Sequence, residues 1–285
     1  MNVFENRNID KTIVLGCGKS ILDLTKEEIE YVNHCNVVIA MNKYMAFYKK
    51  IGIIPTHVYF VDDHENSRKF LEYIFDVCQN DGLEGMTFVV NKSLRSVLYA
   101  SILDKFSLIL KNTWRDFVNS FKLVCARHIF LTKRRYICIL PSCQYQFIST
   151  TNWLEGGFWA NSLSEKLFHF RCSLTTILNY CTIIAPQKDI FLLGNDFRGS
   201  EYFFEDELNA LPFDWKDWTT DITKKENKHF SFVDYEKTNI VDVFPQILDY
   251  LEKNQTNLYC TNPNSMLVTN CNVKYKFLPV QEYYT

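Results

Sequence analysis

No CxxC pair occurs among the ten cysteines of this chain. The closest two, Cys138 and Cys143, have no histidine at a spacing that suits zinc, so no metal centre is expected from them. No apolar stretch reaches the roughly 20 residues of a membrane-spanning helix. Nor is there an excess of positive charge: 31 Lys and Arg against 33 Asp and Glu leave a net charge of -2. That balance argues against a protein built to hold nucleic acid, and no nucleic-acid partner is expected. GxxxxGK[ST] and GxGxxG are both missing, which excludes the ordinary P-loop and dinucleotide fingerprints. There is no internal repeat and no low-complexity run. The first residues, Met1-Asn2-Val3-Phe4-Glu5-Asn6-Arg7, do not form a secretory leader. Scattered thiols without such a leader fit a reducing cytoplasm.

What is present is enough for a sizeable core: 285 residues, of which 47% are hydrophobic. Aromatic residues make up 15%, which suits a binding cleft and an ordinary core alike. In the first third, apolar runs at 12–15, 36–40, 57–61 and 86–90 predict strands. Helices are predicted between them, at 44–51, at 66–77 and from Thr25, where Glu28 completes a capping box. Such alternation argues for a parallel, doubly wound sheet. Residues 94–110 read as a helix and 136–140 as a strand ending at Pro141-Ser142, while 144–169 has no clean period. A helix at 173–184 and a strand at 190–193 follow. The polar and aromatic stretch 197–230 has the length of a functional lid. A helix over 239–253, bent or broken at Pro245, leads to a last strand at 257–260. The expected fold is one Rossmann-like α/β domain over 1–285, doubly wound and mostly parallel, with a small lid subdomain at 197–230.

Chemistry is concentrated where apolar runs stop. The most informative segment is 189–202, where Leu192-Leu193 ends at Gly194-Asn195-Asp196-Phe197-Arg198 and Tyr202 follows. In an open parallel sheet, ligands bind beyond the carboxyl ends of the strands. Gly16-Cys17-Gly18-Lys19-Ser20 has the same layout near the N-terminus, with small residues that let backbone N–H groups approach a phosphate or ribose. Asn42 and Asp62 end the next two strands, where they could bond a base or sugar, or simply cap helices. Arg171 with Ser173 at a helix start could hold a carboxylate or phosphate. The plainer reading is that Ser173 is only a cap. Arg198 and Tyr202 could stabilise charge on a leaving group without a metal, or Arg198 could be a surface charge. His229 is a candidate general base, although a lone histidine is usually structural. Asp62-Asp63-His64 superficially resembles the DxD of metal-dependent glycosyltransferases, but no second ligand group supports it.

Taken in order, these segments resemble the bacterial sialyltransferases typified by the Campylobacter lipooligosaccharide enzymes, glycosyltransferase family 42. Ile13 to Ser20 resembles that family's first strand and its glycine-asparagine-glycine-proline-serine turn. Met41-Asn42 resembles its cysteine-asparagine, Arg171 to Thr175 its arginine–threonine/serine–glycine helix start, and Ile190 to Phe197 its strand ending in glycine-isoleucine-aspartate-phenylalanine. Leu258 to Leu267 matches its closing leucine-tyrosine-cysteine…proline-asparagine-serine-leucine-leucine best of all.

The resemblance implies a GT-A-like variant of the Rossmann fold. It also implies CMP-sialic acid or a related CMP-sugar as donor, inversion at the anomeric carbon, and no metal or cofactor. The acceptor would be a glycan of lipooligosaccharide or capsule. On this reading Cys17, Asn42 and Asp62 contact the nucleotide, and Arg171, Ser173 and Thr175 lie near the donor. Asn264 and Ser265 support the nucleotide, and Asn195 and Asp196 line the strand end. Tyr202 holds the leaving phosphate with Arg198, and His229 deprotonates the acceptor.

Three departures stand out: Cys17 and Asp62 where the family has asparagine, and Arg198 where it has a tyrosine. Residues 93–165 match poorly. A basic membrane-binding tail, present in some relatives, is not expected here, and peripheral membrane contact and homo-oligomerisation stay open. Three alternatives also stay open: a methyltransferase, disfavoured by Asn42 where an acid is needed; a nucleotide- or glycan-binding protein without turnover; and a metal-dependent UDP- or GDP-sugar transferase using Asp62 and His64.

Overall fold

Strand order reverses in the middle of a nine-stranded parallel sheet, and that reversal positions everything below. The computed structural model describes residues 6–62, 65–122, 136–198, 202–213 and 228–283, with the backbone alone over 116–122. The strands are β1 (Ile9–Leu15), β2 (Cys35–Met41), β3 (His57–Phe60), β4 (Thr87–Asn91), β5 (Leu98–Tyr99), β6 (Ile137–Cys138), β7 (Gln144–Asn152), β8 (Lys166–His169), β9 (Ile190–Leu193), β10 (Leu258–Cys260) and β11 (Lys274–Tyr275). β5 and β6 form a separate short pair; the other nine run in the order β11-β10-β9-β1-β2-β3-β4-β7-β8. Every neighbouring pair is parallel. From β1 the chain winds outward as far as β8. It then returns to the other side of β1 as β9. The switch point lies between β1 and β9.

Helices cover both faces: α1 (Lys26–Asn33), α2 (Glu65–Asn80), α3 (Ile102–Lys122), α4 (Ser173–Ile184), α5 (Glu205–Leu208), α6 (Ile240–Lys253) and α7 (Met266–Cys271). Alternation along the strands sorts side chains into two cores. Ile13, Leu15, Val38, Ala40, Phe191 and Leu193 pack with Val32 of α1 and with Phe70 and Ile74 of α2. Val14, Ile39, Tyr59, Ile190 and Leu192 pack with Ile177 and Leu178 of α4 and with Val243 and Phe244 of α6. Burial on both faces explains the apolar end of β1, Ile13 to Leu15, and the apolar run of β9. A mostly parallel, doubly wound α/β sheet was expected, and this is one.

Local signals held in several places. Glu28 N–H donates to Thr25 Oγ1 at 3.2 Å and Thr25 N–H to Glu28 Oε2 at 2.8 Å, so the capping box forms. Three expectations are corrected. Residues 94–110 are not one helix: a 3-10 turn at Lys92–Ser96 and β5 come first, and α3 begins only at Ile102. The start is set by Ser101, whose Oγ accepts from Asp104 N–H at 3.2 Å and donates to Asp104 Oδ2 at 2.8 Å. The stretch 144–169 holds β7 and β8; in β7 only Ile148 is fully buried, and the alternation of Gln144-Tyr145-Gln146-Phe147 is too short and is followed by polar Ser149-Thr150-Thr151-Asn152. Pro245 sits exposed inside α6, and the helix continues past it. Of the expected lid, 199–201 and 214–227 lie outside the described residues. Its root is anchored by Phe203 and Phe204, both buried, with Phe204 stacked on Phe47 at 4.4 Å.

Candidate active site

At the switch point the ends of β1 and β9 touch backbone to backbone. Gly16 N–H donates to Leu193 O, and Gly18 N–H to Gly194 O, each at 2.7 Å. A Cβ on Gly16 would lie 2.2 Å from Gly194 O, and one on Gly18 2.4 Å from Asp196 Oδ2. Only glycine permits this approach. Gly194 has φ +64, a conformation that L side chains rarely adopt.

Asp196 and Asn195 then bracket the turn. The Asp196 carboxylate accepts from Ser20 N–H at 3.0 Å, from Ser20 Oγ, and from Asn262 Nδ2 at 2.8 Å. Asn195, 2% exposed, donates from Nδ2 to Val14 O at 3.1 Å and to Leu193 O at 3.0 Å. Ser265 Oγ donates to Asn195 O at 2.6 Å and accepts from Leu267 N–H at 3.2 Å, capping α7. Thr175 is fully buried; its Oγ1 donates to Cys172 O and accepts from Phe170 N–H, both at 2.9 Å. The polar groups of Ser20, Thr175, Asp196 and Ser265 are thus engaged inside the protein.

A second set of residues stands beside the switch point. Cys17 Sγ donates to Met41 O at 3.5 Å, and burial pushes its thiol up to about 12, so it stays neutral. Tyr202 pairs with Gly18 in an antiparallel bridge and stacks on Phe204, with ring centroids 5.3 Å apart. Lys43 Nζ lies 5.8 Å from the Tyr202 ring centroid. Lys43 was missed in the sequence, although its place directly after Asn42 at a strand end was the available signal. Asn42 Nδ2 donates to Ser173 Oγ at 3.2 Å, joining the end of β2 to the start of α4.

Arg171 follows β8. Its Nη1 donates to Val233 O, and its guanidinium lies 5.5 Å from the Phe230 ring centroid and 5.1 Å from that of Tyr235. Burial lowers its proton affinity. Asn42, Arg171 and Phe197 have φ of +46, +51 and +57. Left-handed backbone at three non-glycine residues near strand ends is strain of the kind that clusters at functional sites.

Arg198 and His229 form a third group. Arg198 Nε donates to Asn264 O at 2.5 Å, and its backbone pairs with Lys228. His229 N–H donates to Phe197 O at 3.0 Å, and its ring packs edge-on to Phe197 at 4.9 Å. His229 Nδ1 faces Ser231 Oγ at 2.8 Å and Ser231 N–H at 3.3 Å. Arg198 and Tyr202, expected to share a phosphate, are held by different neighbours, Asn264 and Gly18. Asp62 is exposed after β3; Asp63 and His64 lie outside the described residues.

The fold and the crevice define a Rossmann-like α/β protein with its candidate ligand site at a topological switch point. No family model matches the chain, and no curated protein matches it. Among solved structures it is similar to the monofunctional alpha-2,3-sialyltransferase Cst-I from Campylobacter jejuni, at 14% identity and TM-score 0.39 over 95% of this chain and 84% of that one. It is also similar to sialyltransferase CstII from Campylobacter jejuni in complex with the substrate analogue CMP-3FNeuAc, at 17% identity and TM-score 0.39 over 95% and 90%. A CST-II variant in complex with CMP gives 16% identity and TM-score 0.37 over 94% and 90%.

Proposed function

We propose that this chain is a glycosyltransferase. It moves sialic acid or a related nonulosonate from a CMP-activated donor to a glycan acceptor of lipooligosaccharide or capsule, with inversion and without a metal. The observation that carries the reading is the crevice at the switch point. The glycine turns bring Cys17, Asn42, Lys43 and Tyr202 to the carboxyl ends of β1 and β2, where a nucleotide would bind in a fold of this kind, and the N-terminus of α4 favours negative charge. The residue-by-residue resemblance of these segments to the sialyltransferases supplies the donor class.

In the proposed step an acceptor hydroxyl oxygen bonds to the anomeric carbon as the bond from that carbon to the CMP phosphate oxygen breaks. The electron pair leaves on the phosphate, where Arg198 and Tyr202 stabilise it. His229 takes the hydroxyl proton. Accepting it at Nε2 requires the hydrogen on Nδ1, which Ser231 Oγ can accept at 2.8 Å; the Ser231 N–H at 3.3 Å favours the other tautomer. The Ser231 hydroxyl thus sets the balance between the two tautomers, which makes Ser231 the residue whose removal tests the base.

A second reading, a nucleotide-binding protein without turnover, draws on Arg198 and Tyr202 being held by different neighbours. Thermal unfolding with CMP, CDP, UMP, UDP, GDP and S-adenosylhomocysteine, with and without magnesium, tests the donor class. Ligand at a hundredfold excess over Kd adds about 2.7 kcal/mol of stability. Stabilisation by CMP without magnesium supports the proposal. A shift only with UDP or GDP plus magnesium, or only with S-adenosylhomocysteine, contradicts it. His229→Ala then separates the two readings: a transferase loses turnover with CMP-sugars and keeps CMP binding.

A further inference from the structure

Helix α3 turns an apolar stripe toward solvent. Ile102 is 71% exposed, Leu103 81%, Phe106 61%, Leu110 71% and Trp114 68%. Ile102, Phe106, Leu110 and Trp114 recur every four residues, so they share one side of the helix. The opposite side holds the helix to the protein. There Asn112 is buried, and its Nδ2 donates to Ser96 O at 2.9 Å and to Tyr136 Oη at 3.2 Å. Single exposed apolar residues need no explanation, but five on one helix mark an interaction surface.

Charge says what kind of surface. Lys111 and Arg115 are exposed beside the stripe. Helix α3 carries Lys105, Lys111, Arg115 and Lys122 against Asp104 and Asp116, a net positive charge in a chain whose net charge is -2. Two copies meeting through this stripe would bring like charges together. An anionic lipid surface is complementary to both the stripe and the cations. No helix among the described residues is long and apolar enough to cross a membrane, so α3 can lie on a bilayer and not through it.

We propose that the outer face of α3 docks onto an anionic lipid bilayer. Phe106, Leu110 and Trp114 enter the acyl boundary, while Lys111 and Arg115 meet the headgroup phosphates. This inference does not rest on the glycosyltransferase reading.

The test is flotation of the full chain with vesicles of phosphatidylcholine alone and of phosphatidylcholine mixed with phosphatidylglycerol. Binding is expected to the mixed vesicles, to weaken with salt, and to be slight on phosphatidylcholine. Phe106→Ser with Leu110→Ser, both at exposed positions, should lower partitioning at least about tenfold. The unfolding midpoint should not move. Lys111→Gln with Arg115→Gln should lower partitioning about thirtyfold at low salt, on the scale of one headgroup interaction per cation. Failure to float with the mixed vesicles overturns the proposal. So does equal, salt-insensitive binding to phosphatidylcholine alone. A dimer that the Phe106→Ser, Leu110→Ser variant dissociates, without flotation of the parent chain, would assign the stripe to a second copy instead.

Discussion

Gly16→Ala adds one methyl group at the point where β1 and β9 meet. The new Cβ would stand 2.2 Å from the Gly194 carbonyl oxygen and 2.7 Å from its carbon. Both are backbone atoms, so no rotamer change relieves the contact and the two strand ends must part. Parting them stretches the bonds from Gly16 N–H to Leu193 O and from Gly18 N–H to Gly194 O, each 2.7 Å long. Overpacking costs about 1–3 kcal/mol, and each weakened backbone hydrogen bond up to about 1 kcal/mol more. On those two scales the expected loss lies toward the upper end of about 1–5 kcal/mol. Gly82→Ala is the matched control. Gly82 has φ +62 and nothing within 4 Å of an added Cβ, so it isolates backbone strain from crowding. That strain is about 1–2 kcal/mol. Urea unfolding followed by circular dichroism reads both as midpoint shifts at constant m-value. A Gly16→Ala loss no larger than that of Gly82→Ala would refute the close approach. CMP stabilisation should also vanish in Gly16→Ala and survive in Gly82→Ala.

Other consequences can be checked separately. Arg171→Lys should cost about 1–2 kcal/mol in urea unfolding, because a lysine keeps the charge but loses the planar group between Phe230 and Tyr235 and the bond to Val233 O. Burial, and then the Arg7 charge, hold His57 at about 4 in the folded chain against 6.5 unfolded. The unfolded chain therefore binds more protons between those values. Stability should be full above pH 6.5 and fall by up to about 3 kcal/mol as pH drops toward 4. His57→Gln should flatten the slope in part, because burial lowers His169 as well. Iodoacetamide followed by peptide mapping should label exposed Cys138 well before Cys17, Cys35 or Cys181, whose thiols burial pushes up. Because the Ser231 hydroxyl is the group that can hold the hydrogen on His229 Nδ1, Ser231→Ala should lower turnover with CMP-sugars and shift its pH profile while CMP binding persists, and Ser231→Thr should restore part of both.

Much of the sheet was readable from short stretches. The end of β1, Ile13 to Leu15, and the whole of β9 appear as apolar runs because both of their faces are buried there. The start of α1 is readable because a capping box is made within four neighbouring residues. β7 was unreadable for the opposite reason: Gln144, Gln146, Ser149 and Thr150 occupy a strand whose neighbours supply the ladder but little burial. At the site, the glycine turn and the Gly-Asn-Asp ending marked the right loops. The residues' roles within them were not visible. Asp196 looks like a ligand group in sequence, yet its oxygens are taken by Ser20 and Asn262. Lys43 carried no motif of its own, and only its position near Tyr202 singles it out.

By itself the sequence determined the α/β alternation, the glycines at the strand ends and the candidate polar residues, because each depends on neighbouring residues or on a short period. Tertiary structure alone decided that β9 lies beside β1, that Asp196 reaches Ser20 across 176 positions, and that Asn42 meets Ser173 across 131. A parallel strand chooses its partner through crossover connections and the burial of two faces at once. A polar side chain takes a role only when distant backbone arrives within hydrogen-bonding distance, and neither condition is written in any short segment of chain.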